Sequence, residues 1–304
     1  MKKQDKIWLD GKFVDWDQAN VHVLTHTLHY GFGVFEGTRC YKCVDGSAIF
    51  RLDDHLKRLY DSAQILTLEI PYAQEDLEAA SREVLRVNKM EEGYLRHIVF
   101  IGDGEMGLGT MTNPTRAAII AWAWGAYLGE DGLKKGIRLK TSSYARLPVQ
   151  VFPTKAKAVG NYVNSILAKR EALKAGYDEA LMLDIQGYVA ECSGENIFLV
   201  NGKTIRTTPE SSSILSGITR KSVIQLGRDL GYEVREITFP RDEVYTADEV
   251  FLTGTAAEVT PVREVDNRQI GEGKAGPVTL GLQAAFFDVV KGKNKKYKQW
   301  LTYL

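Results

Sequence analysis

The sequence has no excess of either charge, few cysteines and no long apolar run, and each shortage excludes a class of function. Lys+Arg and Asp+Glu both number 39, so the formal net charge is zero. Nothing electrostatic therefore draws the chain to nucleic acid or to an anionic membrane. Three cysteines in 304 residues do not make a disulfide framework. Cys40 and Cys43 form a C-x-x-C, but no second pair completes a zinc site, so they read as two ordinary thiols, with a redox pair as the alternative. The longest apolar run, 117–127, is too short to cross a bilayer and reads as a buried strand. The opening Met1-Lys2-Lys3-Gln4-Asp5-Lys6 leads into a strand pattern and not into an apolar signal core, which makes the cytoplasm the expected location.

What is present is the composition of an ordinary globular protein, 44% hydrophobic and 26% charged, long enough for two domains with a sizeable core. The first part, 1–125, reads as a strand-rich α/β domain. Asp10-Gly11 and Asp45-Gly46 are hairpin signals. Asp53 is the expected N-cap of a helix that shows Leu56, Leu59, Tyr60 and Ala63 on one face. A second helix is expected over 75–87, then buried strands over 94–101 and 116–124. Residues 126–136 lack periodicity and are expected to link the first domain to a larger one, 137–304. There the pattern predicts a strand at 137–142 and a helix from Tyr162 closed by Gly176. Hairpins follow at Gln186-Gly187 and Asn201-Gly202, then a helix after Gly217, a strand at 249–252 and a last helix over 278–290. The lysine-rich stretch 291–298 reads as a solvated end.

Several residues carry chemistry. Lys157 lies among Ala156, Ala158, Val159 and Gly160, small apolar neighbours that strip hydration from an amine and favour its neutral, nucleophilic form. Lys155 is two positions away, and spacing alone does not choose between them. Glu191 and Glu195 follow a strand; two carboxylates there suit acid/base work or a capping role. Gly217-Ile218-Thr219 opens a helix, whose unpaired N–H groups and dipole make an anion site. Arg58, on the helix after His55, has the fork geometry for a phosphate. An amine, a carboxylate and two small-residue loops, Leu215 to Thr219 and Gly254-Thr255-Ala256-Ala257, are together what a phosphorylated aldehyde cofactor requires. Gly102-Asp103-Gly104-Glu105-Met106-Gly107 matches G-x-G-x-x-G literally. No helix follows it and position 122 is Trp, so a dinucleotide site is rejected. His22, His26 and His29 lack a completing ligand and read as structural, and no metal is expected.

The combination resembles the fold-type IV pyridoxal phosphate enzymes, and within them the branched-chain amino acid aminotransferases. The likeness runs through His29-Tyr30-Gly31, Val34-Phe35-Glu36-Gly37, Arg58-Leu59, Tyr94-Leu95-Arg96, Trp124-Gly125-Ala126-Tyr127, Lys157 to Tyr162, Glu191 to Phe198, Gly217 to Arg220 and Gly254 to Glu258. It implies a two-domain fold with a pseudo-barrel sheet in the larger domain. It implies pyridoxal 5'-phosphate joined to Lys157, with Glu191 at the ring nitrogen, Tyr162 at the phenolic oxygen and Glu195 in support. Arg58, Leu215, Gly217, Ile218, Thr219, Gly254 and Thr255 would surround the phosphate. Tyr30, Phe35, Gly37, Tyr94, Arg96, Trp124, Tyr127, Ala256 and Ala257 would form the substrate pocket, with Arg96 meeting the distal carboxylate of glutamate or 2-oxoglutarate. Burial of that cation implies a hydrogen-bonded resting arrangement. The expected partners are amino acids and 2-oxo acids, and a homodimer or higher homo-oligomer is implied. Val159, Lys155 and Phe32-Gly33 depart from the commoner pattern, away from the residues of the chemistry.

Overall fold

The computed structural model describes residues 2–125 and 127–304. Met1, and Ala126 of the Trp124–Tyr127 motif and the expected linker, lie outside the described residues. The chain divides into two compact units, one of 2–124 with 156–161 and 289–304, the other of 125–155 with 162–288.

In the first unit, β1 (Lys6–Leu9) and β2 (Lys12–Asp15) turn at Asp10-Gly11, where both residues take positive φ, 48° and 83°. That left-handed pair is the turn conformation that matches strand twist, and Asp-Gly tolerates it. After α1 (His26–Tyr30), β3 (Gly33–Cys43) and β4 (Gly46–Phe50) form the hairpin expected at Asp45-Gly46. Next come α2 (Leu52–Ile65), α3 (Gln74–Val87), β5 (Gly93–Ile101) and β6 (Thr115–Trp122). On α2, Leu52, Leu56, Leu59 and Ala63 recur at helical spacing and are buried against Leu77, Val84 and Leu85 of α3 and Val34, Leu95 and Ile119 of the sheet. The sheet runs in the order C-terminal strand, β4, β3, β5, β6, β1, β2, with every neighbouring pair antiparallel.

Two expectations are corrected here. Asp53 does not cap α2: Arg51 does, in the left-handed region at φ 50°, and Asp53 sits in the first turn beside the positive end of the helix dipole. The Arg51 N–H donates to the Trp300 carbonyl at 2.6 Å, which fixes the chain's entry to the helix two residues earlier than its pattern suggests. The lysine-rich end is not a solvated tail. Residues Lys295–Trp300 form a 3-10 turn with Tyr297 buried, and Leu301–Tyr303 pairs with β4 as an edge strand. The lysines are carried on this turn while its aromatic residues pack, Trp300 lying 6.1 Å from Phe50.

Cys40 and Cys43 both lie on β3, so three residues put them on opposite faces and about 10 Å apart, beyond disulfide reach. Burial pushes the Cys40 thiol up to about 12 and also raises that of Cys43.

In the second unit, residues 126–136, expected to be an irregular linker, carry a short helix, α4 (Glu130–Lys135). Gly129 and Gly136 bracket it at φ 81° and 85°, conformations that let the chain turn sharply in and out of this six-residue helix. There follow β7 (Ile137–Thr141), α5 (Tyr162–Lys174), β8 (Glu179–Leu183), β9 (Val189–Cys192), β10 (Asn196–Asn201), β11 (Thr204–Thr207) and α6 (Ile218–Asp229). Then come β12 (Glu233–Glu236), α7 (Arg241–Tyr245), β13 (Glu249–Gly254), β14 (Glu258–Val265), β15 (Arg268–Gln269) and α8 (Pro277–Val290). The sheet order is β12-β11-β10-β13-β14-β7-β8-β9, with β15 beside β14. It is mixed: β11/β12, β14/β7 and β7/β8 are parallel and the other pairs antiparallel. Ile197, Leu199, Val250, Leu252, Val262 and Leu181 alternate along their strands to fill its core.

Candidate active-site residues

In the first unit the segment 156–161 lies along β3. Phe35 N–H donates to the Lys157 carbonyl (3.0 Å), Val159 N–H to the Gly33 carbonyl (2.9 Å) and Gly160 N–H to the Gly31 carbonyl (3.0 Å). Gly31 and Gly160 pass so closely that a Cβ on Gly31 would fall 2.9 Å from the Gly160 Cα. The Lys157 N–H donates to Ser62 Oγ at 3.0 Å, and its Nζ stands 4.9 Å from the centre of the Phe35 ring. Lys155 is otherwise engaged, its Nζ donating to the Ile214 and Ser212 carbonyls at 2.7 and 3.1 Å in the second unit. The two lysines that spacing leaves undecided thus have different surroundings.

Arg58 projects from α2 to the buried carboxylate of Glu36 on β3. Its Nε and Nη2 donate to Oε1 and Oε2 at 2.5 and 3.0 Å, the forked geometry of a strong pair. His55 Nδ1 lies 2.7 Å from the same Oε2, and Gly37 N–H donates to it at 3.1 Å. Burial works to raise the Glu36 carboxyl, but Arg58 and His55 outweigh it and hold it well below the usual carboxylate range. Burial keeps His55 below the ordinary histidine range, and so neutral at pH 7.

The sequence-predicted pocket residues of this unit form a group. A Cβ on Gly37 would land on the Tyr94 hydroxyl, so glycine is what leaves room for that ring. Tyr94 packs edge-on against Trp124 at 4.7 Å and tilts on Trp122 at 5.0 Å. The Arg96 guanidinium lies over Phe35 (4.7 Å), Tyr94 (5.6 Å) and Trp122 (6.0 Å), and its Nε is a buried donor without a partner. The expected hydrogen-bonded resting state is therefore replaced, at Nε, by aromatic faces, whose negative π clouds offset part of the desolvation of the cation. Tyr30 is half exposed beside His26, at 4.6 Å between rings. His26 and His29 each meet a backbone carbonyl through Nε2, of Gly107 and Val23, at 2.8 Å.

In the second unit, Glu191, the next-to-last residue of β9, lies in a buried polar nest. Oε1 accepts from Arg146 Nε (2.8 Å); Oε2 accepts from Asn196 Nδ2 and from the Leu215 N–H (both 3.1 Å). Burial raises the Glu191 carboxyl, and Arg146 and the Leu215 N–H oppose the rise. Asn196 also donates to the Leu215 carbonyl at 3.1 Å, tying β9 and β10 to the loop that enters α6. Gly217 caps α6 without a side-chain bond, so the N–H groups of its first turn, at Ile218 and Thr219, have no helical acceptor. A Cβ at Gly217 would overlap Asn196 Oδ1. The turn Thr255–Ala257 joins β13 to β14, and Gly254 packs against Glu195, a Cβ there meeting the Glu195 Cγ at 3.4 Å.

The Glu195 carboxyl is pushed well up, by burial and then by the Glu179 carboxylate, and Lys169 bonds Glu179 at 2.6 Å. Tyr162 opens α5, and Tyr127 lies with its ring centre 5.4 Å from the Lys169 Nζ. Sequence reasoning missed Glu36 as the holder of Arg58, Ser62, and the Arg146–Asn196 frame around Glu191. The one local signal was His55 and Arg58, three residues apart on one helix face.

Residues 33–265 match the family described as amino-transferase class IV. The chain is 51% identical to the branched-chain-amino-acid aminotransferase of Pseudomonas aeruginosa, over 97% of this chain and 96% of that one. Among solved structures, the branched-chain amino acid aminotransferase of Escherichia coli superposes with a TM-score of 0.96 at 45% identity, covering 98% of this chain and 99% of the other. The enzyme of Thermobaculum terrenum, in its PLP form, superposes with a TM-score of 0.92 at 33% identity, covering 99% of each chain.

Proposed function

The chain belongs to the class IV aminotransferases, and we propose that it moves the amino group of L-leucine, L-isoleucine or L-valine to 2-oxoglutarate on pyridoxal 5'-phosphate, in two successive half-reactions. It is a branched-chain aminotransferase of the pyridoxal phosphate type; the particular substrates and their order are the added reading.

The residues fit such a cofactor. In the first unit the Lys157 N–H and the Arg58 carbonyl share the Ser62 hydroxyl, and Glu36 fixes the orientation of the Arg58 guanidinium. In the second, a buried carboxylate is held in place by three donors, and a helix begins with unpaired N–H groups. When bound, the protonated pyridine ring supplies an electron sink for the pair left on Cα as its proton departs. Lys157 would hold the aldehyde and then move the proton between Cα and the adjoining carbon. Glu191 would hold a proton at the ring nitrogen, and Tyr162 would bind the phenolic oxygen. Arg58, with Ile218, Thr219 and Thr255, would bind the phosphate, with Leu215, Gly217 and Gly254 shaping the backbone around it.

The observation that carries the substrate reading is the Arg96 guanidinium over the Phe35 ring at 4.7 Å. An aliphatic side chain needs apolar walls, and a dicarboxylate needs a cation; here one cluster offers both. Tyr94, Gly37 and Trp124 belong to the same group, and Tyr30, Tyr127, Ala256 and Ala257 complete the proposed pocket. The test is a panel of donors against 2-oxoglutarate, including both enantiomers of leucine, with Arg96→Met beside the parent. Activity with L-leucine and not D-leucine is expected. Arg96→Met should lower kcat/KM for 2-oxoglutarate about 100-fold, the scale of a lost charge-assisted pair, and leave that for L-leucine within about threefold. Preference for D-leucine or for simple amines would overturn the substrate assignment. A cytoplasmic homodimer or larger homo-oligomer accords with this reading, and no helix among the described residues is long and apolar enough to cross a membrane.

A further inference from the structure

A ring of bonds closes through the first unit. The Lys157 N–H donates to Ser62 Oγ (3.0 Å), and Ser62 Oγ donates to the Arg58 carbonyl (2.6 Å). Arg58 grips Glu36 (2.5 and 3.0 Å), Glu36 follows Phe35 in the chain, and the Phe35 N–H donates to the Lys157 carbonyl (3.0 Å). Three separate pieces of chain, α2, β3 and the segment 156–161, are thereby joined at one place.

Ser62 is the member of the ring that neither resemblance nor charge points to. It is fully buried, one turn beyond Arg58 on α2. A buried helical serine commonly spends its hydroxyl on the carbonyl four residues back. Ser62 does so, and that bond turns its lone pairs to receive a second partner from outside the helix, the backbone of Lys157. Pyridoxal phosphate joins an aldehyde to a phosphate through a rigid ring. The amine that takes one end and the guanidinium that takes the other must then be held at one spacing, because any slack between them would cost affinity for the two-ended ligand.

We propose that Ser62 is the positioning residue that sets the spacing between Lys157 and Arg58, so that binding of the aldehyde and binding of the phosphate reinforce each other. This deepens the cofactor reading and rests on it. Ser62 itself touches no reacting atom; its hydroxyl acts through the backbone of both residues.

The experiment compares the apoprotein's affinity for pyridoxal 5'-phosphate with that for pyridoxal, which lacks the phosphate, using the visible absorbance of the covalently held aldehyde. Three proteins are measured: the parent, Ser62→Ala and Ser81→Ala. Ser81 is the matched control, a buried serine on α3 that also donates to the carbonyl four residues back (Leu77, 2.6 Å) but does not meet the Lys157 segment. Ser62→Ala should bind pyridoxal phosphate about tenfold more weakly, the scale of one buried hydrogen bond. Its affinity for pyridoxal should stay within about twofold, so the preference for the phosphorylated aldehyde falls about tenfold. Ser81→Ala should keep the parental preference. A purely structural serine would weaken both aldehydes equally or neither; either pattern, or an equal fall in Ser81→Ala, overturns the proposal. Should Ser62→Ala not fold, Ser62→Cys, nearly isosteric and a weak hydrogen-bonding partner, reads the same ratio. A parent that binds neither aldehyde would instead remove the cofactor reading, which keeps the two failures apart.

Discussion

Arg146 Nε stands 2.8 Å from Glu191 Oε1, and both side chains are 6% exposed. Burying this pair costs hydration on both sides, and what remains favourable is that neither charge is left alone. Burial raises the Glu191 carboxyl, and Arg146 is the first of the groups that resist it. The arginine therefore favours the charged form of the carboxylate against burial, and that form is the one that can hold a proton on a partner nitrogen.

Arg146→Met should destabilise the protein by about 3 kcal/mol near pH 8, from the uncompensated buried carboxylate. The sign follows from linkage. A carboxyl whose folded-state value lies above its unfolded one contributes stability below the unfolded value and loses it as pH rises through the folded one. Removing Arg146 lifts the folded value further, so the deficit against the parent should grow between pH 5 and pH 8. Thermal melting across that range checks this; a deficit independent of pH would mean that Arg146 serves packing and not the charge of Glu191.

Glu36 predicts the opposite dependence. Its carboxyl is held well below the ordinary range by Arg58 and His55 despite burial. Its contribution is thus complete above the unfolded value, about 4.3, and is lost as pH falls toward the folded one. Glu36→Gln should cost about 3 kcal/mol at pH 7, and the gap to the parent should narrow as the pH drops below about 4. Denaturant melts at pH 7 and pH 3.5 measure it. A gap that stays constant would show that the Glu36 charge does not stabilise Arg58.

Much of the fold was legible in the sequence because its signals are local. The Asp-Gly pairs gave their hairpins, the leucines of α2 their buried face, and Gly176, at φ 81°, the end of α5. What escaped depends on contacts between distant residues. Leu301–Tyr303 is a strand because β4 offers it an edge, which the lysines before it do not announce. Arg51 replaces Asp53 at the head of α2 because of a bond to Trp300. Nothing local marks 156–161 as belonging with β3, since its bonds run to Gly31, Gly33, Phe35 and Ser62.

The residues that would touch the cofactor were named because their chemistry is distinctive: an amine among small residues, a carboxylate after a strand, a glycine before a helix. Those that hold them were not. Arg146 and Glu191 are 45 positions apart, and no periodicity links them. A serine within a helix looks the same in sequence whether its hydroxyl serves one partner or two, which is why Ser62 was invisible.

The central claim is that Lys157, and no other lysine, carries the cofactor. The direct measurement is borohydride reduction of the protein reconstituted with pyridoxal 5'-phosphate, followed by mass mapping of its peptides. A visible band should vanish on reduction and the added mass should fall on Lys157, with Lys157→Ala showing neither. Mass on Lys155, or a protein that stays colourless with excess cofactor, would contradict it.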